Sequence, residues 1–380
     1  MSAETLVGFG SAAITPALPI QLAGFIEDQP AATVHDDLEV HAFVVRDDAV
    51  TLCLLVFDLL GMSRDAADPI REAVAQTLGT GHEHVLTACV HTHAGPSVIA
   101  GSDRLGWVTP TGYPALLVER AVAAARAAHE RAVAARLSFG RWPLLDGVSI
   151  NRRGWDYSPT FAALDVHARD SGARLGTLAN LAIHPVVLGP ECVAVSSDWV
   201  GPFRRALEAR VGGHTVLLSG AIGDVNPRHV HRQHNDCTDD PFAEAAQLAD
   251  ELASMTAGAL PDAHELAPAR PTVARHRTID VPLGATMLAT ARGGASVSVE
   301  LVEWTIGSVR IVSVPGEAFH ALGRAVEARV TAAGEHALLA GLAPEWHGYL
   351  PQPFTDGYEE EMSYGAEAVA AIAAALTDPV

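Results

Sequence analysis

ACVHTHAGPS, Ala88 to Ser97, ends an apolar run on two histidines one residue apart, and a Gly-Pro pair then stops the element that carried them. If the strand persisted to its end, alternation would put Val85, Thr87, Cys89, His91 and His93 on one side, with both imidazoles facing the same way. Taken alone, the pair suits two hydrogen-bonded histidines at a strand end as well as it suits a reactive site. What sharpens the reading is that other apolar runs stop in the same manner. TLANLAIHP (177–185) ends on His184 before a proline, TVLLSGAIGDVNP (215–227) runs through glycines to Asp224 and Asn226, and VRIVSVPGEAFHALG (309–323) turns at Pro-Gly onto Glu317. In open α/β sheets the ligand crevice lies beyond the carboxyl ends of the strands, so polar residues gathered there from separate strands can share one site.

The surrounding pattern is that of an α/β chain. Strands are expected at Thr5 to Ile14, Leu38 to Val45, Thr51 to Phe57, His84 to Val90, Ala162 to His167, Leu175 to Ile183, Thr215 to Ser219 and Val309 to Val314. Helices are expected at Ala66 to Thr77, Pro114 to Ala135, Val200 to Val211, Pro241 to Ala257, Ala318 to Val330 and Ala366 to Leu376. The β-branched runs between Arg270 and Val314 show no helical pattern and read as an antiparallel flap or β-rich subdomain. No linker or repeat divides the 380 residues, so a single domain over 1–380 is expected, with mixed sheets flanked by helices.

Composition removes several function classes. A formal net charge of −20 leaves no basic surface for a phosphate backbone, so a nucleic-acid partner is not expected. MSAETLVGFG lacks the regions of a secretory signal, and no stretch approaches the roughly 18 uncharged apolar residues of a membrane span. Cys53, Cys89, Cys192 and Cys237 form no CxxC pair, which suits unpaired thiols and a cytoplasmic location. Homo-oligomerisation is left open by the sequence.

Two histidines and a carboxylate are a known catalytic zinc set that leaves a coordination position for water or substrate. There is no HExxH, so the ligands would have to come from scattered strand ends. The motifs, in order, resemble the catalytic domain of the neutral/alkaline non-lysosomal ceramidases. VGFGSAAITP with LAGF, HTHAGP, INRR, NLAIHP, GDVNP, VPGEAF and GLAPEWHGYLPQPFTDGYE are each similar to a segment of that family. The resemblance implies one zinc ion held by His91, His184, Glu317 and Tyr349; without it Tyr349 reads as a core aromatic. It also places Gly24, His93, Arg152 and Tyr358 around the substrate carbonyl, and Asp198 as an orienter behind the ligands. The spacing between Tyr349 and Tyr358 is shorter than in the family.

Other departures bear on the reaction. The position of a family serine with a catalytic role is Asn226 here, and an amide is no comparable nucleophile. The family's immunoglobulin-like domain and secretion signal are not matched, so extracellular turnover of membrane ceramide is not the expectation. What is expected is an amidase that cleaves an N-acyl bond of a small molecule with a metal-activated water. In that scheme His93 is base and then acid, Arg152 and Asn226 steady the oxyanion, and Asp224 orients its neighbours. Ester or lactone hydrolysis is a close variant, and a non-hydrolytic zinc isomerase or lyase on the same scaffold is the alternative. A silent binding protein would have no chemical reason to keep all four ligand positions filled. The loop RHVHRQHNDC, with His229, His231, His234 and Cys237, matches no zinc spacing and reads as a pocket rim. DGYEEEM (356–362) reads as a solvated face or helix start whose acidity would favour a cationic substrate.

Overall fold

The computed structural model describes residues 4–25, 29–228, 240–267 and 271–379; the loop residues His229, His231, His234 and Cys237 lie outside these, as does Arg270. Period-two burial builds the strands. In Thr51–Phe57, Leu52, Leu54 and Val56 enter one apolar cluster while Cys53, Leu55 and Phe57 enter another, so this strand is covered on both faces. Val85–Cys89 divides likewise, with Leu86 and Ala88 on one side and Val85 and Cys89 on the other. Each such side chain, fully buried, contributes roughly 1.5–3 kcal/mol, which fixes register because a one-residue slip would exchange the faces.

The larger sheet has nine strands. Eight run in the order His214–Ser219, Arg174–Leu181, Thr160–Ala168, Val133–Pro143, Leu6–Ala13, Glu39–Arg46, Thr51–Phe57 and Val85–Cys89, and His264–Glu265 lies along Val133–Pro143. A four-stranded sheet joins Pro271–Pro282, Ser296–Ile306, Val309–Val314 and His336–Gly341. Helices flank both sheets, as the α/β reading expects.

Parallel pairing is confined to a few places in these two sheets, and those places matter. Thr51–Phe57 pairs in parallel with Val85–Cys89 across helix Arg64–Leu78, and Arg174–Leu181 with His214–Ser219 across helix Val200–Val211. Val309–Val314 pairs in parallel with His336–Gly341 across helix His320–Ala332. Each β-α-β unit delivers both strand carboxyl ends to one side. Side chains then stitch the units together. Asn180 donates to Leu218 O and Leu339 O, and the Ser219 hydroxyl donates to Val90 O at 2.9 Å.

Two expectations are corrected. The helix beginning near Pro114 is Tyr113–Glu130, and Val133 already opens an 11-residue strand; its irregular burial shows no clean alternation, which hid it among alanines. The β-rich stretch does contain a helix, Met287–Arg292, whose start is capped by the Thr286 hydroxyl accepting from Ala289 N. Its strands pair antiparallel, as expected, and share a sheet with His336–Gly341 while feeding both apolar clusters. Among the described residues Cys53, Cys89 and Cys192 are free, and no helix is long and apolar enough to cross a membrane.

Candidate metal centre

His91 follows the Val85–Cys89 strand, but the strand has ended before it. Its φ is 78°, a left-handed conformation that costs a branched side-chain-bearing residue on the order of 1 kcal/mol or more. Strand alternation therefore does not align His91 with His93. The turn does so instead, leaving their ring centroids 4.9 Å apart and nearly perpendicular. His184 follows Arg174–Leu181 and is held through its backbone N–H to Val225 O. Glu317 comes after Val309–Val314 and pairs in parallel register with Tyr349, which sets the carboxylate and the phenol side by side.

The proton positions follow from backbone acceptors. Nδ1 of His91 faces Leu60 O and Nδ1 of His184 faces Ile222 O, so each Nδ1–H donates to a carbonyl and each Nε2 keeps a lone pair. His91 Nε2 is 3.1 Å and His184 Nε2 3.8 Å from Glu317 Oε2. Glu317 Oε1 accepts from Trp346 Nε1 at 2.9 Å, while Oε2, fully buried, has no hydrogen bond of proper geometry. Three electron-rich atoms thus face one another in an apolar setting, an arrangement that a divalent cation resolves. The donor set fits such an ion.

Titration is bent accordingly. Burial, then the neighbouring His91, pushes His184 and His93 well below the ordinary histidine value. For Glu317 burial is the largest influence and acts upward, but His91, Trp346 and Tyr349 together hold the carboxyl below its usual range. Burial drives the Tyr349 hydroxyl well above 10, with Arg152 pulling the other way through charge and a hydrogen bond. A phenolate there needs a cation beside it. His91, His93 and His184 offer nitrogens within 4.8 Å of one another, so on distance His93 also competes for a ligand position. Glu317 supplies the negative charge that three imidazoles lack.

The other residues singled out in the sequence divide into those that face this centre and those that support it. His93 stacks edgewise on Phe25 at 4.7 Å, and its Nδ1 is buried without a partner. Gly24 has φ 113°, and a Cβ there would lie 2.4 Å from that Nδ1, so only glycine admits the ring. The Arg152 guanidinium lies over the Tyr349 ring at 5.2 Å, and Tyr358 is exposed with its ring 6.1 Å from Tyr349. Asn226 is buried with Oδ1 lacking a partner.

Asp224 is engaged elsewhere. One oxygen accepts from Asn151 and the other from His320 N, both at 2.6 Å, and its carbonyl accepts from Arg152 N. It therefore places Arg152 and the following helix rather than reacting. Asp198 differs from expectation, since its carboxylate bonds backbone amides and not a ligand ring. Its carboxylate accepts from Leu188 N and Trp199 N and anchors the loop after His184, while burial raises it to about 7 against those donors. The groups that do orient the ligands are Trp346 and two carbonyls, Leu60 O and Ile222 O. Nothing in the composition of PEWHGYL marked that indole, and carbonyl acceptors carry no residue signature.

No family model matches this sequence, and comparison with characterised protein sequences likewise finds no match. Solved structures do match. Neutral ceramidase from Pseudomonas aeruginosa superposes with a TM-score of 0.86 at 18% identity, covering 100% of this chain and 74% of that one. This chain carries the neutral ceramidase fold. A second structure, a ceramidase complexed with C2, gives a TM-score of 0.81 at 18% identity over 99% of this chain and 74% of that one. Within the ceramidase fold, HTHAGP, NLAIHP and VPGEAF each follow a strand of one of the parallel pairs described above. The motif order read from the sequence is thus the order in which the β-α-β units deliver the centre.

Proposed function

We propose that this chain is a zinc-dependent amidase that hydrolyses an N-acyl bond of a small molecule. The observation that carries the reading is the meeting of His91 Nε2, His184 Nε2 and an undonated Glu317 Oε2 beyond the ends of three separate strands. Amide hydrolysis is brought to this chain from its structural neighbours, which are ceramidases. His91, His184, Glu317 and Tyr349 would hold the ion, which when bound lowers the pKa of water towards about 7 and polarises an acyl oxygen.

The chain's own side chains divide the remaining work. His93, kept neutral by burial and with Nε2 facing the centre 3.2 Å from His184 Nε2, can accept a proton and return it to the departing nitrogen. Arg152, beside Tyr349, offers donors towards charge that develops on the acyl oxygen. Asn226 supplies an amide rather than a nucleophile, so this reading contains no acyl-enzyme.

The test combines elemental analysis with turnover of a panel of N-acyl compounds by wild type and His91→Ala. The reading expects stoichiometric zinc and turnover in wild type and neither in the variant; full activity without the metal refutes it. A second reading, a non-hydrolytic isomerase or lyase, is favoured by Asn226 at the position of the family serine. Isotopically labelled water separates the two, because only hydrolysis leaves solvent oxygen in the product. Ester and lactone substrates belong in the same panel as close variants.

A further inference from the structure

The acidic run at 356–362 opens a short helix, as one expectation had it, with Asp356 and Glu361 exposed and the two acids between them turned inward. Glu359 and Glu360 are both buried, at 7% and 4% exposure, and turn inward from the short helix Tyr358–Glu361. Glu359 Oε1 lies 2.8 Å from an Arg152 terminal nitrogen, and its Oε2 accepts from Arg153 at 2.6 Å. Arg153 has a second carboxylate, Glu360, at 2.8 Å, whereas the same Arg152 nitrogen also donates to the uncharged Gly223 O, with the Tyr349 hydroxyl and the Glu317 charge acting on the guanidinium as well. Two guanidiniums therefore meet two carboxylates here, and Glu359 is the one paired with Arg152.

We infer that Glu359 is a specificity-determining residue that restricts the site to N-acyl compounds whose polar end is uncharged. With the two guanidiniums already matched by two carboxylates, a substrate carboxylate brought to Arg152 would face Glu359 at close range and add a buried negative charge with no cation of its own. A neutral amide or hydroxyl meets no such opposition and can still accept from the guanidinium. The two buried acids of the run thus act on substrate charge by cancelling interior cations, while Asp356 and Glu361 stay exposed. Removing the Glu359 charge leaves Arg153 paired with Glu360 and sets Arg152 free to take a carboxylate in bidentate fashion.

This inference rests on the amidase reading, and its experiment keeps the two apart. The zinc-loaded full chain is given two substrates with the same medium acyl chain, one on an uncharged amino alcohol and one on an amino acid. Glu359→Gln is expected to lower KM for the amino acid conjugate by about tenfold or more while KM for the neutral one shifts little. Glu360→Gln, which loosens the same network without touching Arg152, is expected to leave the ratio unaltered, and Glu359→Asp to keep the wild-type preference. Equal changes for both substrates, or a ratio shift in Glu360→Gln as large as in Glu359→Gln, overturn the inference.

Calorimetric binding of octanoate to the zinc-loaded protein supplies a readout without turnover. Tighter binding by Glu359→Gln than by wild type supports the inference even if neither amide is cleaved, an outcome that would defeat only the amidase reading. Unchanged octanoate affinity in a folded Glu359→Gln defeats the inference alone. Should that variant fail to fold, Glu359→Ala decides, since it also removes the charge facing Arg152 and must raise octanoate affinity over Glu360→Gln.

Discussion

Two groups of histidine and carboxylate in this molecule each bring ligand atoms together and have opposite outcomes. Glu39, His41 and Asp58 bring ligand atoms within 4.8 Å of one another, just as the histidines of the candidate centre do. There, however, Arg204 donates to both Asp58 oxygens at 2.7 and 2.6 Å and stands 3.6 Å from Glu39, while His41 pairs with His214 at 2.9 Å. The positive charge is built in. At the candidate centre Arg152 is tied to Glu359 and Gly223, and Glu317 Oε2 is left without a donor. A ligand-like set becomes a metal site only where the chain withholds its own cation.

The largest effect that would break this comparison is on metal content. Glu317→Gln preserves shape but removes the charge, and bound zinc should drop to a negligible fraction, beyond the roughly 10–100-fold loss typical of an outer partner. Asp58→Asn should leave metal stoichiometry as in wild type. Elemental analysis after dialysis reads both, and a metal loss in Asp58→Asn would erase the distinction. Next in size, Arg204→Ala strands the buried Asp58 and should cost about 3–5 kcal/mol in urea unfolding. Added zinc should recover part of that loss in Arg204→Ala only, because the vacated triad then resembles the other one.

A smaller change sharpens the comparison from the metal side. Trp346→Phe deletes the donor to Glu317 Oε1 and should weaken zinc about 10–100-fold in chelator competition, with folding stability little altered. The smallest effect concerns acid. Burial, then Arg204, lowers His214 from 6.5 to about 4. Between those values the unfolded chain binds a proton that the folded one refuses, so this stabilisation is complete above pH 6.5 and is lost as pH falls towards 4. His214→Gln, which takes no proton there, should show a shallower decline of the melting temperature over that window; an identical slope would assign acid sensitivity elsewhere.

Much of the fold was legible because burial on both faces writes continuous apolar runs, and Thr51–Phe57 and Val309–Val314 emerge with the bounds that their runs suggest. The Val133–Pro143 strand was not legible, since its side chains alternate poorly between core and solvent. Within the centre, His91, His184 and Glu317 were marked by their places at run ends. Trp346 was unmarked because an indole in a buried segment has no pattern that separates packing from donation. Asp198 was marked for the right neighbourhood and the wrong contact, as its carboxylate holds the backbone amides of Leu188 and Trp199 instead of the ring it was expected to steer.

By itself the sequence determined the alternation of strands and helices and the chemical type of each group at the strand ends, because both are properties of short stretches. Only the tertiary structure decided which nitrogen of each imidazole faces inward, which acidic cluster already owns a guanidinium, and that Glu359 points at Arg152. Those outcomes depend on a left-handed turn at His91 and on partners up to 226 positions apart, His91 and Glu317 among them. Hydrogen bonding and charge pairing at that separation are set by how the sheets and helices pack, and no local periodicity encodes them.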